Sequence, residues 1–216
     1  MKIKRLDYIS IIIVLLNFVV TAFIYTLLPE KIPMHWNAAG EVDRFGNRVD
    51  ILFMSLIPAF MYLILFLLSF LDKRVMKRIN AYKAISRGVI ALLLIIQYAV
   101  IMYAFGWNIN MGSVSSIGMG ILLIVIGNFM PQLKQNTVAG VRLPWTLKDE
   151  QTWIVTHRVG GYSMVITGLI ISLMGFVVPS YYAIPVSLIA IIVWTIGLSI
   201  YSYVYFKKRC NEKSGI

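Results

Sequence analysis

Apolar residues in this chain fall in long unbroken blocks, not in alternating or three-to-four-spaced stripes. Six blocks contain no Lys, Arg, Asp, Glu or His: residues 8–28, 51–71, 88–105, 111–130, 159–178 and 182–206. A helix needs roughly 20 apolar residues to cross the hydrocarbon core of a bilayer. Backbone polar groups cannot go unpaired there, so each block is predicted to be a helix; the alternation of a membrane barrel is missing. The expected fold is all-α, a polytopic membrane helical bundle of about six transmembrane helices.

Five connections separate the blocks. Residues 106–110 and 179–181 are short links, 72–87 is basic, and 29–50 and 131–158 are long and patterned. Pro58 lies inside the second block and predicts a kink. Gly112, Ser116 and Gly120 recur at four-residue spacing, as do Gly168 and Ser172, and such faces let helix backbones approach closely in lipid. The first block is too long for a typical signal-peptide core and no small-residue cleavage site follows it, so it reads as a retained membrane helix. The division expected is 1–71, two helices with an outer loop at 29–50, and 72–216, four helices with an inner loop at 131–158.

Composition agrees: 59% of the 216 residues are hydrophobic and 13% charged, against about half and a quarter in soluble domains. The net charge of +11 would suggest nucleic acid in a soluble protein, but its placement says otherwise. Of the 20 Lys and Arg residues, only Lys31, Arg44 and Arg48 fall on one side of the predicted topology. The positive-inside rule puts the rest, and with them both termini, in the cytoplasm. The cations serve topology and attract the head groups of membrane lipids, so no direct nucleic-acid contact is expected. Tyr201, Tyr203, Tyr205 and Phe206 before Lys207, Lys208 and Arg209 form an interfacial belt with its anchor. The single cysteine, Cys210, excludes an intramolecular disulfide and a Cys-based metal site.

Chemistry has few places to sit. The blocks lack the carboxylate, His or Arg that ion-coupled transport uses, and Asn17, Gln97 and Asn128 suit hydrogen bonding between helices. His35 and His157 fall in loops on opposite sides, so they share no metal or catalytic centre; no cofactor is expected. His35 with Glu41 or Asp43 forms at most a weak metal site. In the outer loop, Pro29 ends the first helix, Pro33 stiffens its exit, and 37–40 reads as a turn. Trp36 and Phe45 are apolar for a loop and suit either the head-group layer or recognition. In the inner loop, Thr146 and Asp149 resemble a capping box, predicting a short interfacial helix from Leu147 toward Arg158. Trp153 and His157 would share one of its faces, and Leu147 and Ile154 another. Arg142, Trp145, Trp153, His157 and Arg158 would suit a docking surface.

The two loops carry a resemblance. Leu28-Pro-Glu-Lys-Ile-Pro-Met-His-Trp-Asn37 with Gly40 is similar to the outer-loop signature of a bacterial membrane domain of unknown function. Gly127-Asn128, Asn136, Gly140-Val-Arg-Leu-Pro-Trp-Thr-Leu147, Trp153 and Thr156-His-Arg158 resemble the longer signature of the SdpI family. That resemblance implies a multi-pass immunity protein of the bacterial cell (cytoplasmic) membrane, not an enzyme. It would bind a secreted killing peptide of SdpC type outside and hold an SdpR-type repressor inside, a signal-transduction role. By position it implies Pro29, Pro33, His35, Trp36, Asn37 and Gly40 as ligand-binding residues. Partner docking would fall to Asn128, Asn136, Gly140, Arg142, Pro144, Trp145, Thr146, Trp153, His157 and Arg158. The alternatives are a small-solute transporter and a membrane enzyme using His157 or His35.

Overall fold

Long apolar blocks fold here into helices that pack in chain order with short turns. The computed structural model describes residues 7–37, 40–71 and 79–214. Lys2, Lys4, Arg5, Lys73, Arg74, Lys77, Arg78 and the middle of the 37–40 turn lie outside the described residues. α1 (Tyr8–Ile24) ends in a 3-10 turn and leads to a hairpin of β1 (Lys31–Trp36) and β2 (Val42–Asn47). α2 (Asp50–Leu68), α3 (Ile79–Ala104) and α4 (Met111–Phe129) follow. The short α5 (Pro144–Lys148) then precedes α6 (Glu150–Val177) and α7 (Ser180–Ser214). Among the described residues six helices are long and apolar enough to cross a membrane. One end of the bundle carries the hairpin; the other carries the α4–α6 connection.

The α4–α6 pair is built on glycine. A methyl group on Gly168 would lie 2.6 Å from the Gly120 carbonyl oxygen, and one on Gly127 would lie 2.7 Å from that of Gly161. Lipid tails give apolar helices no reason to associate, so close backbone approach at small residues supplies the contact. α7 closes this half through hydrogen bonds from Trp194 Nε1 to Ser163 Oγ (2.9 Å) and from Ser187 Oγ to Ser116 Oγ (3.1 Å).

The α1–α3 half is pinned by polar groups. The Asn17 amide donates to Gln97 Oε1 at 3.2 Å and to the Ser55 carbonyl at 3.1 Å, in the turn where Pro58 removes a backbone donor. Gln97 in turn donates to Thr21 Oγ1 at 2.9 Å. At the end remote from the hairpin, Arg87 grips the Asp7 carboxylate with two bonds of 2.6 and 2.8 Å. Ser10 donates to the same carboxylate, and the Asp7 N–H donates to Tyr62 OH, so Asp7 ties three helices. Burial pushes the Asp7 pKa up, but the bonds from Arg87 and Ser10 and the charges of Arg87 and Lys83 outweigh it and hold it below the ordinary 3.8.

Several boundaries differ from the expectation. The outer loop is a hairpin, because its register is closed by the Asn37–Glu41 turn and Ile32 is buried against the bundle. Within the described residues α3 is already helical at Ile79, which places Lys83 and Arg87 on a helix. The inner loop has no separate helix running from Leu147 to Arg158. Asp149 is extended and caps a new helix, its carboxylate accepting from the Thr152 N–H, so α6 runs unbroken from Glu150. Thr146 and Asp149 therefore form no capping box together, and Leu147 and Ile154 lie on different helices. The basic C-terminal segment continues α7 as helix to Ser214.

Two outcomes follow from this packing. Gly120→Ala puts a methyl 2.5 Å from the Gly168 carbonyl and should cost about 1–3 kcal/mol. The matched Gly197→Ala, which meets nothing within 4 Å, should not; the apparent Tm of the purified protein separates them. Because the Asp7 pKa is lowered on folding, its contribution is present above the ordinary 3.8 and is lost as pH falls through the lower folded value. Tm against pH should show an acid limb that Asp7→Asn removes, together with lower stability near neutral pH.

Candidate functional site

The two ends offer different surfaces. At the hairpin end, β1 is seated on the bundle through Ile32 and Pro33, with Leu28, Ile51, Ala99, Val100 and Met111 in the same apolar cluster. Pro33 sits opposite Phe45 in the antiparallel register, a strand position that tolerates a missing N–H. Trp36 packs edge-on against Tyr103 of α3 with ring centroids 5.6 Å apart, and its indole N–H is buried without a partner among the described residues. Asn37 closes the turn, exchanging bonds with Glu41 through backbone and side chain, and Gly40 takes φ 82°, which favours glycine. His35 Nδ1 meets Asp43 at 2.6 Å in an exposed pair, and Pro29 is exposed where the chain leaves α1. Phe45 is 59% exposed.

At the other end, the α4–α6 connection is a knot of side-chain to backbone bonds. Asn136 accepts from the N–H groups of Val138 and Ala139 and donates to the carbonyls of Lys134 and Ala139. Gln135 donates to the carbonyls of Thr146 and Leu147. Thr146 Oγ1 accepts from the Leu143 N–H and donates to the Val141 carbonyl at 2.7 Å. Trp153 and His157, one helical turn apart on α6, stack at 3.9 Å. Trp153 Nε1 donates to the Leu133 carbonyl, and His157 Nε2 accepts the Val141 N–H at 3.0 Å. With His157 Nδ1 on the Trp153 carbonyl at 2.9 Å, the imidazole is held as one neutral tautomer with both nitrogens occupied. Gly140, at φ 117°, passes so close that a methyl there would meet the His157 ring nitrogen and Trp153 carbons at 3.0 and 3.1 Å.

The structure thus sorts the residues singled out in this loop. Asn136, Thr146, Trp153 and His157 are buried and build the loop from within. Trp145 is half-buried, its indole on Ser202 of α7 (2.8 Å) and its ring edge-on to Tyr203. Pro144 starts α5 and is exposed, as are Arg142, Arg158 and Gly140; Asn128 is exposed near the end of α4. Arg142 donates to the Thr137 carbonyl at 2.6 Å. Sequence reading missed the clamp of Arg209 on Asp149 (3.0 Å), which ties the end of α7 to the start of α6, and the Asp7–Arg87 pair. For the latter a signal exists: each residue stands one position ahead of an apolar block on the same side. Among the described residues no three of His, Cys, Asp and Glu cluster to hold a metal.

Comparison with known proteins agrees with this layout. Residues 12–58 match a family described as a domain of unknown function (DUF1648), and residues 132–204 match the SdpI/YfhL protein family. The first match ends inside α2 and holds the hairpin; the second holds the knot, α6 and most of α7. An uncharacterized protein of Archaeoglobus fulgidus is 35% identical over 65 residues, 28% of this chain and 36% of that protein. No solved structure matches. The immunity protein SdpI of Bacillus subtilis (strain 168) is 31% identical over 205 residues, 94% of this chain and 96% of that protein. Similarity of that extent, on a fold with six helices able to cross a membrane, identifies this chain as a multi-pass membrane protein that belongs to the SdpI family.

Proposed function

We propose that this protein confers immunity in a bacterial cytoplasmic membrane by binding a secreted killing peptide of SdpC type at the hairpin end. Similarity along nearly the whole length of an immunity protein supports the activity. The observation that carries the location is the hairpin itself: buried on one face against α1–α3, it still exposes His35, Glu41 and Phe45. A killing peptide must enter the bilayer to do damage, and a rigid aromatic surface at the membrane boundary binds it first. In this orientation the termini and the α4–α6 knot are cytoplasmic, as the distribution of Lys and Arg supports. Segment 1–71 then supplies the toxin-facing hairpin and segment 72–216 the cytoplasmic α4–α6 connection.

At the inner end the exposed Arg142, Lys148 and Arg158, with Leu147 and Ile154 about 40% exposed beside them, form a basic and apolar surface. This surface suits docking of an SdpR-type repressor, with the buried Asn136, Thr146, Trp153 and His157 holding its shape. A proton-transfer role for His157 finds no support, since both ring nitrogens are engaged by backbone.

Sensitive bacteria expressing the chain should survive challenge with an SdpC-type peptide. Trp36→Ala should abolish that protection at equal membrane abundance, whereas Arg142→Ala should keep protection and lose recruitment of the repressor to membranes. Unchanged protection in the Trp36 variant would move recognition away from the hairpin. His157→Ala leaves the Val141 N–H without its acceptor and opens a gap under Gly140. Limited proteolysis within 133–148 should then rise about ten-fold with protection retained. Loss of protection would mean that the two ends are not separable.

A further inference from the structure

We infer that the outer edge of β2, together with the groove beside it, takes an extended segment of an amphipathic peptide as a third strand. This rests on the immunity reading above and adds where and how the peptide binds.

The sheet has two strands, and β2 has no strand on its far side among the described residues. Its register sets which backbone groups point outward. The Arg48 N–H bonds the Glu30 carbonyl at 2.8 Å, Asn47 stands opposite Lys31, Gly46 opposite Ile32 and Phe45 opposite Pro33. Bonded and non-bonded pairs alternate in the regular part of the ladder, residues 31–33 against 45–47, before the register shifts past Pro33, so Asn47 and Phe45 direct their N–H and C=O away from β1. Pro33, which has no N–H to give, stands at such a non-bonded position. The Asn47 N–H is already taken by Asp50 Oδ2 at 2.8 Å. The edge is therefore closed where it meets α2 and open at Phe45.

Beside that opening lies an open groove of ≈ 530 Å³, with Arg44 and Phe45 on the strand side and Phe53, Met54 and Ile57 on α2. Phe45, Phe53 and Ile57 are 59%, 66% and 45% exposed, so its walls are apolar and unfilled. Gly46 keeps strand and helix together, since a methyl there would lie 2.7 Å from Met34 Cγ and closer still to the Asp50 carboxylate. The charges are unequal: Asp50 is engaged with Asn47, whereas the Arg44 guanidinium makes no ion pair or hydrogen bond among the described residues. The groove therefore asks for an anionic group at Arg44 and apolar groups along α2. A phospholipid would meet those two demands but would leave the Phe45 backbone unpaired. An extended peptide meets all three, its main chain on the strand edge and alternate side chains in the groove.

The test is binding of a fluorescent SdpC-type peptide to the full chain in nanodiscs of phosphatidylethanolamine and phosphatidylglycerol, with singly N-methylated copies of the peptide alongside. Strand addition predicts losses of about ten-fold at every second methylated position across one segment. Ile57→Trp, which fills the groove, and Arg44→Glu should each weaken binding about ten-fold. Ile189→Trp, on an exposed face of α7, should not. Binding by the wild type that ignores Ile57→Trp, or that shows no two-residue period, overturns the site while leaving immunity standing. Release of bound phospholipid by Ile57→Trp with peptide binding unchanged assigns the groove to lipid and overturns it equally. No peptide binding by the wild type overturns the immunity reading and this site together.

Discussion

The contact between α4 and α6 is the constraint on which the α4–α7 half depends. Hydrocarbon gives two apolar helices no net reward for touching, so association has to come from close packing and polar contact. Gly120 against Gly168 and Gly127 against Gly161 let the two backbones meet, and the crossing then fixes the register of α6. Gly161 also lies against Pro131, where a methyl group would sit 2.7 Å from the proline Cδ. The exit of α4 is set by the same contact. His157 and Trp153, one and two turns earlier on α6, are thereby carried under the returning loop, where they receive the Val141 N–H and reach the Leu133 carbonyl respectively.

The other half solves the same problem with polar groups. Asn17, Gln97, Thr21 and Ser55 join α1, α2 and α3 in the middle of the bundle, and interhelical bonds of this kind contribute about 0.6 to 2 kcal/mol each. α3 is the common member. It meets the hairpin through Tyr103, the buried amides through Gln97, and Asp7 through Arg87. One helix thus carries contacts from the hairpin to the opposite end, while a different pair, α4 and α6, shapes the loop there.

Helix lengths explain why the basic end stands proud of the membrane. α7 has 35 residues and α6 has 28, so they extend about 50 and 40 Å against a hydrocarbon core of about 30 Å. The surplus of both helices lies at the basic end: residues 150–158 of α6 and 207–214 of α7. There Arg209 reaches Asp149 and Trp145 reaches Ser202, so the surplus is braced into a platform for Arg142, Lys148 and Arg158.

The linear order of residues by itself determined the parts governed by the solvent. Six apolar blocks had to become helices because lipid leaves backbone groups no other partner, and small residues at four-residue spacing marked a packing face. Asn17 and Gln97 were legible as interhelical donors for the same reason. What only the tertiary structure decided depends on partners distant in the chain. Residues 31–36 and 42–47 form strands because Ile32 has an apolar seat on helices that come later. Trp153 and His157 face inward because Gly140 and Val141 return over them, so residues that read as a docking surface are the core of the loop instead. Asp149, which looked like the end of one capping box, starts another helix and binds Arg209, a residue 60 positions away. Local pattern carries the preference of each segment for lipid or water; which side chains become core is set by the crossings of the helices.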